Sequence, residues 1–412
     1  MIRTNKIVWM TGALLFLSVC LRAQPLDDLL LAADSANLEL RALYQEYLAA
    51  LERAPQVAAL PEPEAGLGVF VLPVETRLGP QWVRLSATQM FPWKGTLPAR
   101  KEVVLAMARA QYERIAAARL NIHYQVEQAW LQLYELEKRA EVLQRSIDLL
   151  NTWESLALAK VEAGKAGLAD VLRLQIRIRE LTEEQRLLAN QQAKPVATIN
   201  RLLARPADMP VEAADTLTLV QPAFDRATLL ADLREDHPML RMYALQQEAA
   251  RQTIELNRLE GRPSFGLGFD YILVGERTDA DPDHNGRDIL SPRVGVRIPL
   301  YRDKYRAKEQ EERLRIQALE SRKEDQFLQF RSELERAFTD WEDALLRYAL
   351  YREQKETTRS AIDLLLTQYS ANETGFVDLL QLEEQLVRYD LQLLSATVKS
   401  HLAQAEVERL IP

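Results

Sequence analysis

Cysteine occurs once in this chain of 412 residues, at Cys20, so no disulfide can form within it. Glycine is scarce, at 14 residues, while charged residues make up 27%, a balance that reads as helix-rich. The four histidines, His123, His237, His284 and His401, have no metal-ligand spacing, and no metal site is expected. No glycine-rich phosphate loop and no grouping of Ser, His and Asp is present, so no catalytic site and no cofactor are expected. Positive charge is not in excess either. A formal net charge of −8 argues against a nucleic-acid partner. Beyond the N-terminus, no stretch reaches the ~18 consecutive apolar residues of a membrane-spanning helix, which argues against an inner-membrane protein.

The N-terminus reads as an export signal. Arg3 and Lys6 supply a positive start, and Ile7 to Val19 is an apolar stretch of the right length. Leu21-Arg22-Ala23 before Gln24 offers a cleavage site, which would make residues 1–23 the signal peptide. The rival reading is lipidation at Cys20, because Leu17-Ser18-Val19-Cys20 resembles a lipobox. Both readings take the chain out of the cytoplasm.

The rest of the chain is written twice. Met90-Phe91-Pro92-Trp93 matches Arg297-Ile298-Pro299-Leu300, and Lys101-Glu102 matches Lys308-Glu309, both at a step of 207. Glu127-Gln128-Ala129-Trp130 matches Glu335-Arg336-Ala337-Phe338 at a step of 208, and Gly167 to Leu172 matches Gly375 to Leu380 at the same step. Correspondences in one order with one residue of drift mark a tandem duplication. Each half reads as a shorter helix, two strands, a very long helix, a turn and a further helix. The first repeat is expected over 24–208, with strands at about 65–91 and a helical hairpin at about 97–204. A linker follows at 209–225; the second repeat covers 226–412, with strands at about 263–300 and a hairpin at about 304–411.

Past Pro98 in its first turn, Leu97 to about Glu162 contains no Pro or Gly, which predicts a helix on the order of 100 Å long. Lys304 to Ala371 predicts another. Such lengths far exceed the usual ~11–12 residues and fit a compact enzyme poorly. Ala129, Leu133, Leu136, Ala140, Leu143, Ile147 and Leu150 step by four and three, the spacing of left-handed coiled-coil packing. Ala337, Trp341, Ala344, Tyr348 and Tyr351 repeat the steps, but Lys355 and Thr358 interrupt this stripe before Ile362 and Leu365, which predicts a seam that is wetter or lies near the lumen. The charge run Lys308 to Arg315 reads as a solvated helix face.

The strands separate this chain from an ordinary coiled coil. Phe265, Leu267, Phe269, Tyr271 and Leu273 alternate with Ser264, Gly266, Gly268 and Asp270. In Arg293 to Leu300, Val294, Val296 and Ile298 oppose Arg293, Gly295 and Arg297. Weaker copies set Leu67, Val69 and Val71 against Gly66 and Gly68, and Val83, Leu85 and Ala87 against Arg84, Ser86 and Thr88. One large apolar face and one small or charged face suit a membrane barrel, lipid outside and water inside. Four strands cannot close one, and an open sheet edge in lipid is prohibitively costly, so several copies must complete it. Three copies give a twelve-stranded barrel and bring the long helices into one ring. The fold expected is mainly α with a membrane β-barrel part, built as a homotrimer in outer-membrane lipid. Pro92 and Pro299 fall where each strand pair gives way to its long helix, and are expected at the strand-to-helix bends. Gly275 to Asp288 should be an outward polar loop; Asp281 to Gly286 resembles the start of a calcium loop, but its twelfth position is Pro292 rather than Glu.

With these features the chain resembles the TolC-type outer-membrane efflux family over nearly its whole mature length. The most specific signals are the segments around Pro92 and Pro299 and the turns Val161-Glu162-Ala163-Gly164 to Leu172 and Tyr369-Ser370-Ala371-Asn372 to Leu380. The family pattern is a Tyr, two residues, a Gly, then an Asp-Val-Leu helix start. Here the first copy has Val161 in place of the Tyr, and the second copy has Asn372 in place of its first Gly. The resemblance implies a trimer, a periplasmic α-barrel with 209–225 in its equatorial region, and a periplasmic adaptor and inner-membrane pump docking at the helical tips. It implies no catalysis: members export drugs, metal ions or polypeptides through a passive duct.

On that reading the turns at Gly164, Gly167, Asn372 and Gly375 form the periplasmic mouth and adaptor-docking tips. Asp170 and Asp378 lie at the starts of the return helices, where carboxylates favour the helix dipole. Threefold symmetry would make each a ring at the periplasmic aperture. In family members two Asp residues one turn apart narrow the second tip; Asp378 matches the first and Gln381 replaces the second. A plain capping role for each Asp is the competing reading. The rival for the whole chain is a periplasmic coiled-coil adaptor or scaffold without a membrane barrel.

Overall fold

The computed structural model describes residues 26–165, 167–213, 216–222, 225–370 and 376–411. The signal segment with Cys20, and Asn372 and Gly375 of the second turn, lie outside the described residues. The short helical run of each half is two helices rather than the expected one. In the first half α1 (Leu26–Ala36) and α2 (Leu38–Ala58) are parted by Asn37. Asn37 has extended backbone, its Oδ1 accepts from the Glu39 and Leu40 amides, and its Nδ2 donates to the Leu202 carbonyl at 2.9 Å. That side chain satisfies the amides a new helix exposes and ties the break to the far end of the repeat.

The long helices follow the strands. α3 (Thr96–Glu162) has 67 residues and continues through a turn into α4 (Leu168–Gln191) and α5 (Ala193–Leu202). The second half begins with α6 (Arg226–Asp236) and α7 (Pro238–Glu260), parted at His237. The residue before a proline is disfavoured in helical conformation, which ends α6 there. Burial, then the charge of Arg409, pushes the His237 pKa down to about 4, so the neutral ring can accept from the Met239 amide through Nδ1 at 3.1 Å. α8 (Asp303–Ser370) has 68 residues, and α9 (Phe376–Leu410) has 35. At 1.5 Å per residue α3 and α8 are each about 100 Å long. Next to the sheet, α2, α3, α7 and α8 lie side by side; towards the far end the row is α4, α3, α9 and α8.

The coiled-coil stripe of α3 is buried as its spacing predicts, from Ala129 through Leu133, Leu136, Leu143 and Ile147 to Leu150. Trp130 and Phe338, matched across the repeat, sit in equivalent cores of the two halves. A third core at the far end joins α3, α4, α8 and α9 through Leu150, Trp153, Leu174, Tyr369 and Leu379. The seam broken by Lys355 and Thr358 is polar, with Lys355 Nζ 2.5 Å from Asp390 Oδ1 across α8 and α9. The charge run at the start of α8 is not wholly solvated. Glu312 is 1% exposed, held by Lys308 at 2.9 Å and Arg315 at 3.1 Å.

Four antiparallel strands stand in the order β1-β2-β3-β4: β1 (Glu64–Thr76), β2 (Gly79–Phe91), β3 (Ser264–Val274) and β4 (Ile289–Arg297). β1 extends beyond the alternating Gly66–Val71 stretch, and β4 stops at Arg297 instead of Leu300. The β1–β2 turn uses Gly79 at φ +128°, where a Cβ would stand 1.8 Å from the Gly275 carbonyl oxygen, so only glycine fits. The β3–β4 loop turns its polar groups inward. Asn285 bonds both the amide and the carbonyl of Arg277, and Asp288 accepts from Tyr271 and the Val274 amide. Among the described residues no helix is long and apolar enough to cross a membrane.

Candidate functional site

The strand register sorts the sheet into two chemically opposite faces. Leu67 pairs with Leu85, Leu85 with Tyr271 and Tyr271 with Leu290, so one row runs apolar across all four strands. On this face Leu67, Val69, Leu267, Phe269, Leu290 and Val294 are half or more exposed, Val294 reaching 72%. The next row brings Ser86, Asp270 and Ser291 together on the other face, flanked by Gly268 beside Arg293. Here Arg84 Nη2 lies 2.6 Å from Asp270 Oδ2, and Arg293 Nη2 lies 3.6 Å from Asp270 Oδ1. A bare apolar sheet face of this extent is a surface made for covering.

The molecule's two sides are also unfinished. β1 and β4 each offer one unpaired edge. On the β4 side, Leu314, Leu328, Leu346, Leu350 and Leu364 of α8 are all exposed and fall within about 40° of one another around the helix, at 100° per residue. On the β1 side, α4 exposes Leu168, Leu172, Ile176 and Leu187, and α2 exposes Leu38, Tyr44 and Leu48.

Both prolines lie between strand and helix. Pro92 directly follows the last residue of β2, and the turn into α3 is completed by Gly95 at φ +93°. Pro299 lies two residues past the end of β4. Around them Trp93, Arg100, Arg262, Arg297 and Lys304 line an open cavity of about 690 Å³.

At the far end, Gly164 ends α3 with φ +68°, the left-handed value glycine tolerates, while its amide donates to Val161 O. Gly167 has extended backbone and nothing crowding its Cβ position, so that turn does not require glycine. Asp170 sits in the first turn of α4, but its carboxylate takes Arg173 at 2.9 Å and does not cap the helix. Asp378 is in the first turn of α9, and both it and Gln381 are exposed. The side chains that join the two hairpins are others. Lys160, at the end of α3, is buried, donates to the Tyr369 carbonyl of α8 and lies 4.2 Å from the Tyr369 ring centroid. That ring packs on Phe376 at the start of α9, 5.2 Å between centroids. Burial, then the Asp170 charge, pushes the Tyr369 phenol up.

Further along, Ser146 of α3 donates to buried Glu383 of α9, whose carboxyl is pushed up first by its own burial. Neither link was singled out from the sequence, yet a signal existed. Lys160 continues the stripe Leu150, Trp153, Ala157 in steps of three and four, and Glu383 continues Phe376 and Leu379. A charged residue on a core stripe must find a partner there.

No protein-family model and no curated protein matches the chain. Solved structures do. The outer-membrane channel OprN aligns with TM-score 0.72 at 18% identity, over 94% of this chain and 89% of that one. CusC, solved in a study of folding and transmembrane channel formation, gives 0.74 at 13%, over 94% and 91%. The outer-membrane protein VceC of Vibrio cholerae gives 0.73 at 15%, over 94% and 95%. The chain has the fold of these outer-membrane channels along nearly its whole length.

Proposed function

We propose that the chain is one protomer of a trimeric TolC-type duct in the outer membrane, a passive exit for cargo delivered by an inner-membrane pump and a periplasmic adaptor. The observation that carries this is the four-stranded sheet, with its apolar face bare and its two edges open, standing on helices about 100 Å long. Lipid covers the apolar face. The β4 edge of one copy pairs with the β1 edge of the next, and three copies supply twelve strands, enough for a water-filled bore. The same rotation sets the α8 leucine stripe against α4 and α2 of the neighbour, so sheet and helices close together.

In this reading the helical tips form the periplasmic aperture. The turns at Gly164–Gly167 and 372–375 are its rim and the adaptor's docking ground. Asp170 and Asp378 each form a ring there, and the Lys160–Tyr369 link holds the hairpins shut. An adaptor or scaffold without a barrel is the weaker reading, because it leaves the exposed sheet face without a solvent it tolerates. Membrane fractionation with mild gel electrophoresis tests the proposal. The expected product is an outer-membrane band at three times the chain mass that collapses on heating; a soluble periplasmic monomer overturns the duct.

A further inference from the structure

The duct reading leaves the charge of the exit unassigned, and the side chains at the foot of the sheet assign it. The face opposite the apolar one, the bore face on that reading, carries Arg84, Arg293 and Arg297 against two carboxylates, Asp270 and, at the β1 edge in the row of Thr88, Glu64. Arg84 and Arg293 share that carboxylate, at 2.6 and 3.6 Å. Two guanidiniums on one carboxylate leave a net positive charge. Arg297 has no ion-pair partner among the described residues and stands at the helix end of the same face, beside Ser264.

Below it opens the junction cavity of about 690 Å³, whose walls from the strands are Met90, Ser264 and Arg297, all on the small-residue face. Gly266 places Met90 on that face independently, since a Cβ there would meet Met90 Sδ at 2.8 Å. Five cations and one acid line this cavity. Glu260 is taken by Arg100 at 2.7 Å, and Lys308 is held by Glu311 and Glu312. Arg262 and Arg297 are left without a carboxylate among the described residues, and Lys304 has only the Tyr305 ring, 4.7 Å from its centroid.

We infer that this junction is an anion-binding collar, through which cargo bearing carboxylate or phosphate groups passes from tunnel to barrel. The inference rests on the duct reading, since threefold closure turns Arg262, Arg297 and Lys304 into a ring around the bore. Unpaired guanidiniums are weakly hydrated forks that match carboxylate and phosphate, so such a ring concentrates anions without holding them permanently. It stands in series with the acidic aperture, and the two charges act at opposite ends of the helices.

The test uses the full-length trimer in planar bilayers, with tripolyphosphate as the probe and spermine as its control. Tripolyphosphate added on the barrel side should block the wild-type current. In R262Q/R297Q the concentration for half-block should rise about tenfold or more, the scale on which charged clefts concentrate ions, and the anion share of the probe-free current should fall with it. R262K/R297K, which keeps the charge, should retain most of the block, and spermine should not block through the collar in any variant. Equal block of wild type and R262Q/R297Q overturns the collar while leaving the duct intact. Binding of these arginines to anionic phospholipid vesicles without current block also overturns it, since the collar would then face headgroups. A chain that inserts but never conducts overturns the duct itself, and the collar with it.

Discussion

Asp378 and Gln381 stand one helical turn apart on the exposed start of α9, so on the duct reading each copy would bring one carboxylate to a place where two could stand. Asp170 is differently placed, because Arg173 at 2.9 Å already neutralises it locally. The two acids should therefore contribute unequally to an aperture. Asp378→Asn is expected to lower the cation-over-anion permeability ratio of the bilayer channel roughly two- to fivefold, the scale of a screened, exposed ring of charge. Asp170→Asn should change it less. Reversal potentials in a salt gradient measure both, and an unchanged value for Asp378→Asn removes that residue from the constriction. The acids were visible in the sequence because each follows a turn and opens a helix. Their different surroundings were legible in part, since Arg173 follows Asp170 by three residues on the same helix face, whereas residue 381, three after Asp378, is a glutamine.

At the scale of elements, the question is what keeps one hairpin against the other. α3 and α4 meet α8 and α9 at the tip through Lys160, whose ammonium bonds the carbonyl end of α8 and faces the Tyr369 ring. A cation at a helix C-terminus is favoured by the unpaired carbonyls and the dipole. Lys160→Met keeps the apolar stem and removes that bond. A charge-assisted hydrogen bond contributes about 1.5–3 kcal/mol, so the variant should raise the open-to-closed ratio by roughly one to two powers of ten. Single-channel open probability reads this directly, and the wild-type value in Lys160→Met would remove the latch. The helices themselves were legible from period and length. Their breaks were less so: Asn37 looks like one more surface polar residue until its amide reaches Leu202, and the parting of α4 from α5 near Gln192 has no counterpart in the continuous α9.

For the whole molecule, the alternation of Phe265 to Leu273 against Ser264 to Asp270 was enough to expect a two-faced sheet, because a strand's period is short and local. The collar was not legible, since Arg262 lies two residues past α7 and Arg297 ends β4, and only the fold sets them around one cavity. Closure is intermediate. The sequence required partners for four strands, but the surface that accepts them is seen only when the leucines of α8 line up along the β4 side. If that stripe is the seam, charge placed on it must separate the copies without unfolding any of them. Leu346 is 72% exposed in the single chain and Leu350 49%. Leu346→Glu with Leu350→Glu therefore costs little within one protomer and buries two carboxylates per seam in the trimer, a penalty of several kcal/mol at each of three seams. Size-exclusion chromatography in detergent should show a monomer where the parent is a trimer, with helical circular dichroism retained. A variant that stays trimeric places the seam elsewhere, and then the α8 leucines face lipid, adaptor or solvent and the ring must close through a different side of the chain.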